Sequence, residues 1–512
     1  MSRGLTRRGL LKTGGAGAAG AALGARGLAF APAAAAQGSD VPSALVVAVS
    51  NLRFDHVKVY GSSRAVDTPN MDELAKDSLR FKNAMPESMP GVPAQRALMT
   101  GMRSFPFRDW RRTEGYAAFP GWGPVHSIHP LVTEVMRDGG VDTTYVTDSP
   151  FLGGSRFGDF RRPNGAREPA PPVLPGDAPA PRDIERDMID ALDRDERAAE
   201  RTIDTGLELL GGLRGGGPFF LGLDGMDPQD TVEVPAAYVD KRDTEPIRQA
   251  GPPYAPIYPV TLEGNTVERV RDRYEDYVRS VDGMVGRLMD RMDELGLLDT
   301  TIVWFLSHNG IALGEHGMMG RAAPTSYREA HFVPYFLRDP EGRRKGDESF
   351  YFASTHDVAP TLLSAMGLNI PAKMDGEDLT ALLEDEDPPR RHYFTSGSPA
   401  GMLAGDNRWL LVVAGDNRQK ALYDGDEEDD GHGDDPWDEE DHDQILDHPA
   451  DSERLFNALL AEAGGTFPDF DERGAVRPRP EAEDDDQLDA DEDDVPSDED
   501  ETPGNDPNRR DT

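Results

Sequence analysis

The stretch Thr301–Pro334 (TIVWFLSHNGIALGEHGMMGRAAPTSYREAHFVP) constrains the architecture of this chain more than any other. Thr301 to Leu306 is β-branched and aromatic with no charge, so a strand made from it has to be covered on both faces. The run breaks at Ser307-His308-Asn309-Gly310, which delivers polar side chains to a loop at the strand's C-terminal end. In an open α/β sheet that edge is where chemistry usually sits. Ala44 to Val49 is a second such run, ending in Ser50-Asn51, and Pro218 to Leu223 is a third, ending at Asp224. Three buried strands that all finish in polar residues predict a largely parallel sheet.

Helical patterns alternate with these runs. Thr68-Pro69 reads as an N-cap with proline at the first helical position, opening a helix that carries Met71, Leu74 and Ala75. Ala97 to Gly101 reads as a helix start closed by glycine. Leu131 to Arg137 reads as a short amphipathic helix stopped at Gly139-Gly140, with a strand at Thr143 to Thr147 after it. Asp183 to Leu213 has the periodicity of a solvated helix. The clearest pattern places Tyr274, Tyr277, Val278, Val281, Met284, Val285, Leu288, Met292 and Leu295 on one face of a long helix ended by Gly296. Its tyrosines and methionines read as core. Further on, Val333 to Leu337 reads as a strand and Thr355 to Leu363 as a helix. Arg391 to Ser396 and Arg408 to Val413 read as antiparallel strands, with a helix from Ser452 to Ala463.

The fold class is therefore α/β: a large mixed, mostly parallel sheet sandwiched by helices over 37–385, and a small α+β subdomain over 386–471. Within the subdomain, 424–451 is acidic but lacks the ligand spacing of an EF-hand loop, so it reads as a hydrated loop. The acidic, Pro-rich segment 472–512 has almost no apolar residues and is expected to be disordered.

With 95 acidic against 54 basic residues, the 512-residue chain carries a formal net charge of -41. Such a charge repels nucleic acid and keeps a surface hydrated in concentrated salt. There is no cysteine, so disulfides, thiolate metal sites and cysteine-derived nucleophiles are excluded. Residues 1–36 carry Thr6-Arg7-Arg8-Gly9-Leu10-Leu11-Lys12, a weakly apolar Gly/Ala segment and a small-residue site at Ala33 to Ala36. That is the pattern of a twin-arginine export signal, and it is too short and too weakly hydrophobic for an integral membrane span. The protein is expected outside the cell or at its surface.

Several segments in one order carry a family likeness: SNLRFDHVKVYG (Ser50 to Gly61), DTPNMDELAKDSLRFKNA (Asp67 to Ala84), GVPAQRALMTG (Gly91 to Gly101), PFFLGLDGMDPQD (Pro218 to Asp230), Gly314-Glu315-His316-Gly317 and ALYDGDEEDD (Ala421 to Asp430). Together they resemble the sulfatase branch of the alkaline phosphatase superfamily, from about Ala44 to Ala463. The resemblance implies an alkaline phosphatase/sulfatase-like fold, a formylglycine nucleophile made from Cys or Ser, and a calcium ion. Laid onto this chain, the nucleophile position is Gly91 and the position of its assisting arginine is Gln95. The metal-binding positions are Ser50, Asn51, His308 and Asn309, and the pocket lysine is Arg321. Outer pocket positions fall on Asp148 to Phe151, Asp224 and Gln229.

Glycine offers no attacking atom and glutamine no positive charge, while calcium needs several negatively charged oxygens. The expected function is that of an exported, salt-adapted pseudoenzyme without a cofactor, serving as a binding or cell-envelope protein. Asn51, His308, Asn309 and Arg321 form its candidate pocket for an anionic glycan. The competing expectation is a sulfuric or phosphoric ester hydrolase with a rebuilt site, using His308, His316, His331 and His356 with Asp55, Asp224 or Asp357. A shifted register would instead make Ser88, in Ser88-Met89-Pro90, the nucleophile.

Overall fold

Alternation along the central strands builds two cores, one on each face of a sheet. In the first strand Leu45, Val47 and Val49 face one layer, while Ala44, Val46 and Ala48 face the other. The strand at Thr301 repeats this with Val303 and Phe305 against Ile302, Trp304 and Leu306. The computed structural model describes residues 41–467, with breaks at 114–120, 150–154, 164–197, 226–257, 260–265, 314–317, 321–327, 415–419 and 425–442 and at a few shorter positions. The export segment, the first half of the helix expected from Asp183, most of the acidic loop and the acidic tail lie outside the described residues. Among the described residues no helix is long and apolar enough to cross a membrane.

In chain order the strands are β1 (Ser43–Val49), β2 (Leu79–Met85), β3 (Asp142–Thr147), β4 (Asp159–Arg161), β5 (Phe219–Asp224), β6 (Tyr258–Pro259), β7 (Thr301–Ser307), β8 (Ala312–Leu313), β9 (Met318–Gly320), β10 (Tyr335–Arg338), β11 (Glu348–Ser354), β12 (Phe394–Ser398), β13 (Gly401–Gly405), β14 (Trp409–Ala414) and β15 (Lys420–Asp424). The main helices are α1 (Pro69–Lys76), α2 (Val92–Thr100), α3 (Val132–Asp138), α4 (Ala198–Leu213), α5 (Thr266–Glu294), α6 (Val358–Ala365) and α7 (Pro449–Glu462). Eight strands form the main sheet in the order β11-β2-β10-β7-β1-β5-β3-β4. Only β10 runs against its neighbours, β7 and β2. The C-terminal ends of β1, β3, β5 and β7 therefore share one edge. Side chains of α1, α4 and α5 fill one core, and those of α2, α3 and α6 the other.

Several elements depart from the sequence reading. The strand β2 was hidden by Arg80, Lys82 and Asn83, whose half-buried side chains lie between the buried Leu79, Phe81 and Ala84; Arg80 and Lys82 rest on the Tyr60 ring. Ala97 to Thr100 is the end of α2, not its start, because the helix already begins at Val92-Pro93, and Gly101 in a left-handed conformation closes it. Between the two expected C-terminal strands runs β13, whose Gly and Ala content gave no apolar run. The expected helix at Thr355 opens with a 3-10 turn, Thr355–Asp357, before α6.

The four-stranded sheet β12-β13-β14-β15 packs on α7 and on Phe105, Phe107 and Trp110. It joins the main sheet where the backbones of Glu87 and Met89 pair with Gly397 at 3.0 Å. The buried Glu87 carboxyl accepts from Ser88 Oγ and from the Ser104 and Phe105 amides at 2.9 and 3.3 Å. Burial pushes it up to about 7 against the pull of Arg103, with Asp375 adding to the rise. A carboxyl raised on folding contributes stability that is complete below its unfolded value and is lost as pH rises through the folded one. The fold is expected to lose roughly 3 kcal/mol from this group between about pH 4.5 and pH 7. Urea unfolding of the protein and of Glu87→Gln at pH 5 and pH 8 checks this, because the variant should lack that loss.

Candidate active site

Because β1 lies between β5 and β7, its terminal Ser50-Asn51 emerges beside Asp224 on one side and Ser307-His308-Asn309 on the other. The His308 amide donates to the Val49 carbonyl at 2.8 Å, and Ser307 Oγ lies against both the Val49 and Asn309 carbonyls. Gly310 is required here, since a Cβ would overlap the Glu329 carbonyl that receives the next amide, that of Ile311. Tyr277 and Tyr274 of α5 donate to the Ser50 and Asn51 carbonyls at 2.6 and 2.7 Å. These tyrosines, expected only as core, also hold the first loop, in which Asn51 adopts a positive φ of 60°.

The side chains form a closed, buried chain of contacts. Ser50 Oγ is 3.1 Å from His308 Nδ1, and His308 Nε2 is 3.3 Å from Asp224 Oδ1. Asp224 Oδ2 accepts from Gln95 Nε2 at 2.8 Å and from the Tyr145 hydroxyl. Gln95 Oε1 accepts from Ser149 Oγ at 3.2 Å, and Asn309 Nδ2 donates to Asn51 Oδ1 at 2.7 Å. Ser50, Asn51, Gln95, Ser149, Asp224, His308 and Asn309 are all at most 2% exposed, which places the whole set inside the protein. Burial holds the His308 imidazole below its ordinary value although Asp224 opposes it, so the ring is neutral. The tautomer with its proton on Nε2, on the side of the carboxylate, leaves Nδ1 to accept from Ser50 Oγ, although the 3.3 Å approach of Nε2 to Asp224 Oδ1 is not itself a hydrogen bond. Burial and Asp224 together push the Tyr145 phenol well above its usual range, so it stays a donor.

Tyr145 was missed by sequence reasoning. Its signal lies in the strand opposite: Gly222 pairs with Tyr145 in register, and a Cβ at 222 would overlap the ring. The ring crosses the glycine and its hydroxyl reaches Asp224.

Other expected residues fall elsewhere. Gly91 is the N-cap of α2, with φ 56° and ψ −98°. Arg96, beside Gln95, turns away to the Gly121 carbonyl and Asp109 at 3.2 and 3.0 Å. Ser88 bonds to Glu87 at the junction with β12, which does not support the shifted register. Asp55 is clamped by Arg53 and His56, while Asp357 lies beside His356 at 3.7 Å and is clamped by Arg391. Arg321, His316, Gln229 and part of the outer pocket, Pro150 and Phe151, lie outside the described residues. Among the described residues no three His, Asp or Glu side chains are grouped to hold a metal ion, so the histidines that the rebuilt site needs are not brought together there. The calcium implied by the resemblance does not fit this donor set. Asp224 is the one carboxylate in the chain of contacts: its Oδ2 already takes two donors, its Oδ1 faces His308 Nε2 without a hydrogen bond, and the positions around it supply an imidazole, a hydroxyl and amides rather than further carboxylates.

The family model described as Sulfatase matches residues 42–368. The chain is 24% identical over 417 residues to the multifunctional alkaline phosphatase superfamily protein PehA of Trinickia caryophylli, covering 67% of this chain and 77% of that protein. It is 29% identical over 180 residues to a low-salt glycan biosynthesis sulfotransferase of Haloferax volcanii, covering 33% of this chain and 42% of the relative. The crystal structure of a phosphonate monoester hydrolase of Agrobacterium radiobacter superposes with a TM-score of 0.61 at 20% identity, over 86% of this chain and all of that one. That likeness concerns the fold. The extent of the family match, on a sheet whose polar edge carries the family's positions in order, means that this chain belongs to the sulfatase family.

Proposed function

We propose that this protein is a non-catalytic member of the family, exported by the twin-arginine route, adapted to high salt and used to bind an anionic glycan or envelope component. One observation supports the reading: Ser50, His308 and Gln95, at positions that the resemblance gives to the metal and to nucleophile support, are turned toward one another, Asp224 and Tyr145 in the interior. Gly91 has no atom to attack sulfur or phosphorus, and Gln95 is turned into the protein to serve Asp224 rather than an anion. Losing one anion-stabilising donor typically costs about 10²–10³ in rate, and here the nucleophile position is empty as well. The net charge of -41 supports the salt-adapted setting, and the Haloferax relative named for glycan biosynthesis supports a glycan as the ligand class.

The test is turnover of aryl sulfates, phosphate diesters and phosphonate monoesters by the full chain in molar salt, with and without calcium. No product above the buffer control is expected, together with retention on a sulfated-glycan column. Saturable turnover would overturn the reading.

A second reading rests on its own observation: Ser50, His308 and Asp224 stand in the order nucleophile, base, carboxylate. Against it, Ser50 is 2% exposed and the carboxylate is drawn equally by Gln95 and Tyr145. Turnover abolished by Ser50→Ala would establish it.

A further inference from the structure

We infer that the His308 imidazole has taken over the mechanical task of a divalent cation, tying the ends of β1, β5 and β7 together so that the fold no longer depends on metal. The inference builds on the reading of the site given above but concerns stability, and a turnover assay and a melting assay can fail separately.

The three strand ends form one row, and one ring bridges them. Its Nδ1 lies 3.1 Å from Ser50 Oγ at the end of β1, its Nε2 approaches Asp224 Oδ1 at the end of β5 to 3.3 Å without forming a hydrogen bond, and its own backbone continues β7. A buried carboxylate needs compensation wherever it sits. A site with acidic residues at 50, 224 and 308 would place three negative charges within one buried row, and only a cation could hold them together. With serine and histidine at 50 and 308 a single charge remains, on Asp224, and Gln95, Tyr145 and His308 all face it. The two substitutions answer each other: a carboxylate left at 50 would face an imidazole nitrogen committed as an acceptor, and one left at 308 would face Asp224 directly. Asn309 to Asn51 at 2.7 Å adds a second stitch between the same two loops, again without charge.

The experiment compares melting of the full chain in molar salt with calcium or a chelator, and repeats it on S50D/H308D, which returns acidic side chains to both positions. The natural protein is expected to melt within ~1 °C in the two conditions, and the doubly acidic variant at least about 5 °C higher with millimolar calcium than with chelator. Calcium stabilisation of the natural protein overturns the inference, and so does a folded S50D/H308D that ignores calcium. If S50D/H308D does not fold, Ser50→Ala, His308→Asn and their combination decide. Non-additive losses, with a coupling of at least about a third of the larger single shift in melting temperature, support the tie; additive losses overturn it.

Discussion

Replacing Asp224 by alanine is expected to destabilise the protein by about 3–5 kcal/mol, the range for removing one member of a buried, charge-assisted network. The loss has two parts. The Gln95 amide and the Tyr145 hydroxyl are stranded in the interior, each costing roughly 1–3 kcal/mol if nothing relaxes, and the volume of the carboxylate is left as a cavity. Burial also keeps Tyr145 from escaping outward, since its ring is packed across Gly222. Asp224→Asn separates the polar effect from the cavity: it keeps the volume but sets an amide NH₂ among three donors, so most of the loss should persist. Urea unfolding in molar salt measures both variants. A loss below about 1 kcal/mol for Asp224→Ala would mean that the contacts around it do little to hold the strand ends together.

The second large effect is expected outside that network, at Asp357, in the turn that packs on α2. Its carboxylate accepts from Arg391 Nη1 and Nη2 at 2.8 and 2.9 Å and from the Ser354 and Glu377 amides at 2.8 Å each, all at the start of α6. Arg391 thereby ties the first C-terminal strand to the main domain. Asp357→Ala leaves a buried guanidinium and two amides uncompensated, again about 3–5 kcal/mol. Burial raises the carboxyl, but Arg391, His356 and the amide donors outweigh it and hold it below the ordinary carboxylate range. A lowered carboxyl contributes stability above its unfolded value and loses it as pH falls toward the folded one. The natural protein should therefore weaken below about pH 4 through this group, and Asp357→Asn should lack that component of the acid response. A variant with an unchanged acid limb would remove Asp357 from the explanation. Since Glu87 acts in the opposite sense on the other side of the same junction, the attachment of the subdomain should be firmest between the two titrations.

Much of the fold was legible because its strands announce themselves. Thr301–Ser307, Ser43–Val49 and Phe219–Asp224 are apolar runs with polar ends, and the long helix displays its core face in a regular period. The strand at Leu79 was not legible, because its charges are carried on long stems that lie along the sheet and rest on a tyrosine. At the site, residue types showed a difference from the pattern that the resemblance implies: Gly91 for a nucleophile, Gln95 for a cation, Ser50 and His308 for carboxylates. They did not show what replaces it. The pairing of Ser50 with His308 spans 258 residues and that of Tyr145 with Asp224 spans 79, and no local pattern encodes either. Only the strand order, β7 beside β1 and β5 beside β3, brings them together.

The backbone at Gly91 bears on the history of this lineage. Its φ of 56° with ψ of −98° is a combination that residues with a Cβ adopt only at a cost of about 1–3 kcal/mol. A serine or cysteine reappearing there would strain the start of α2 before it gained any partner. Restoring Arg at 95 would take from Asp224 the amide it now uses, and restoring Asp at 308 alone would set two carboxylates face to face. Under the non-catalytic reading proposed above, a Cβ at 91 or an Asp at 308 alone is therefore expected to cost stability before any activity is gained, which urea unfolding of the single variants measures.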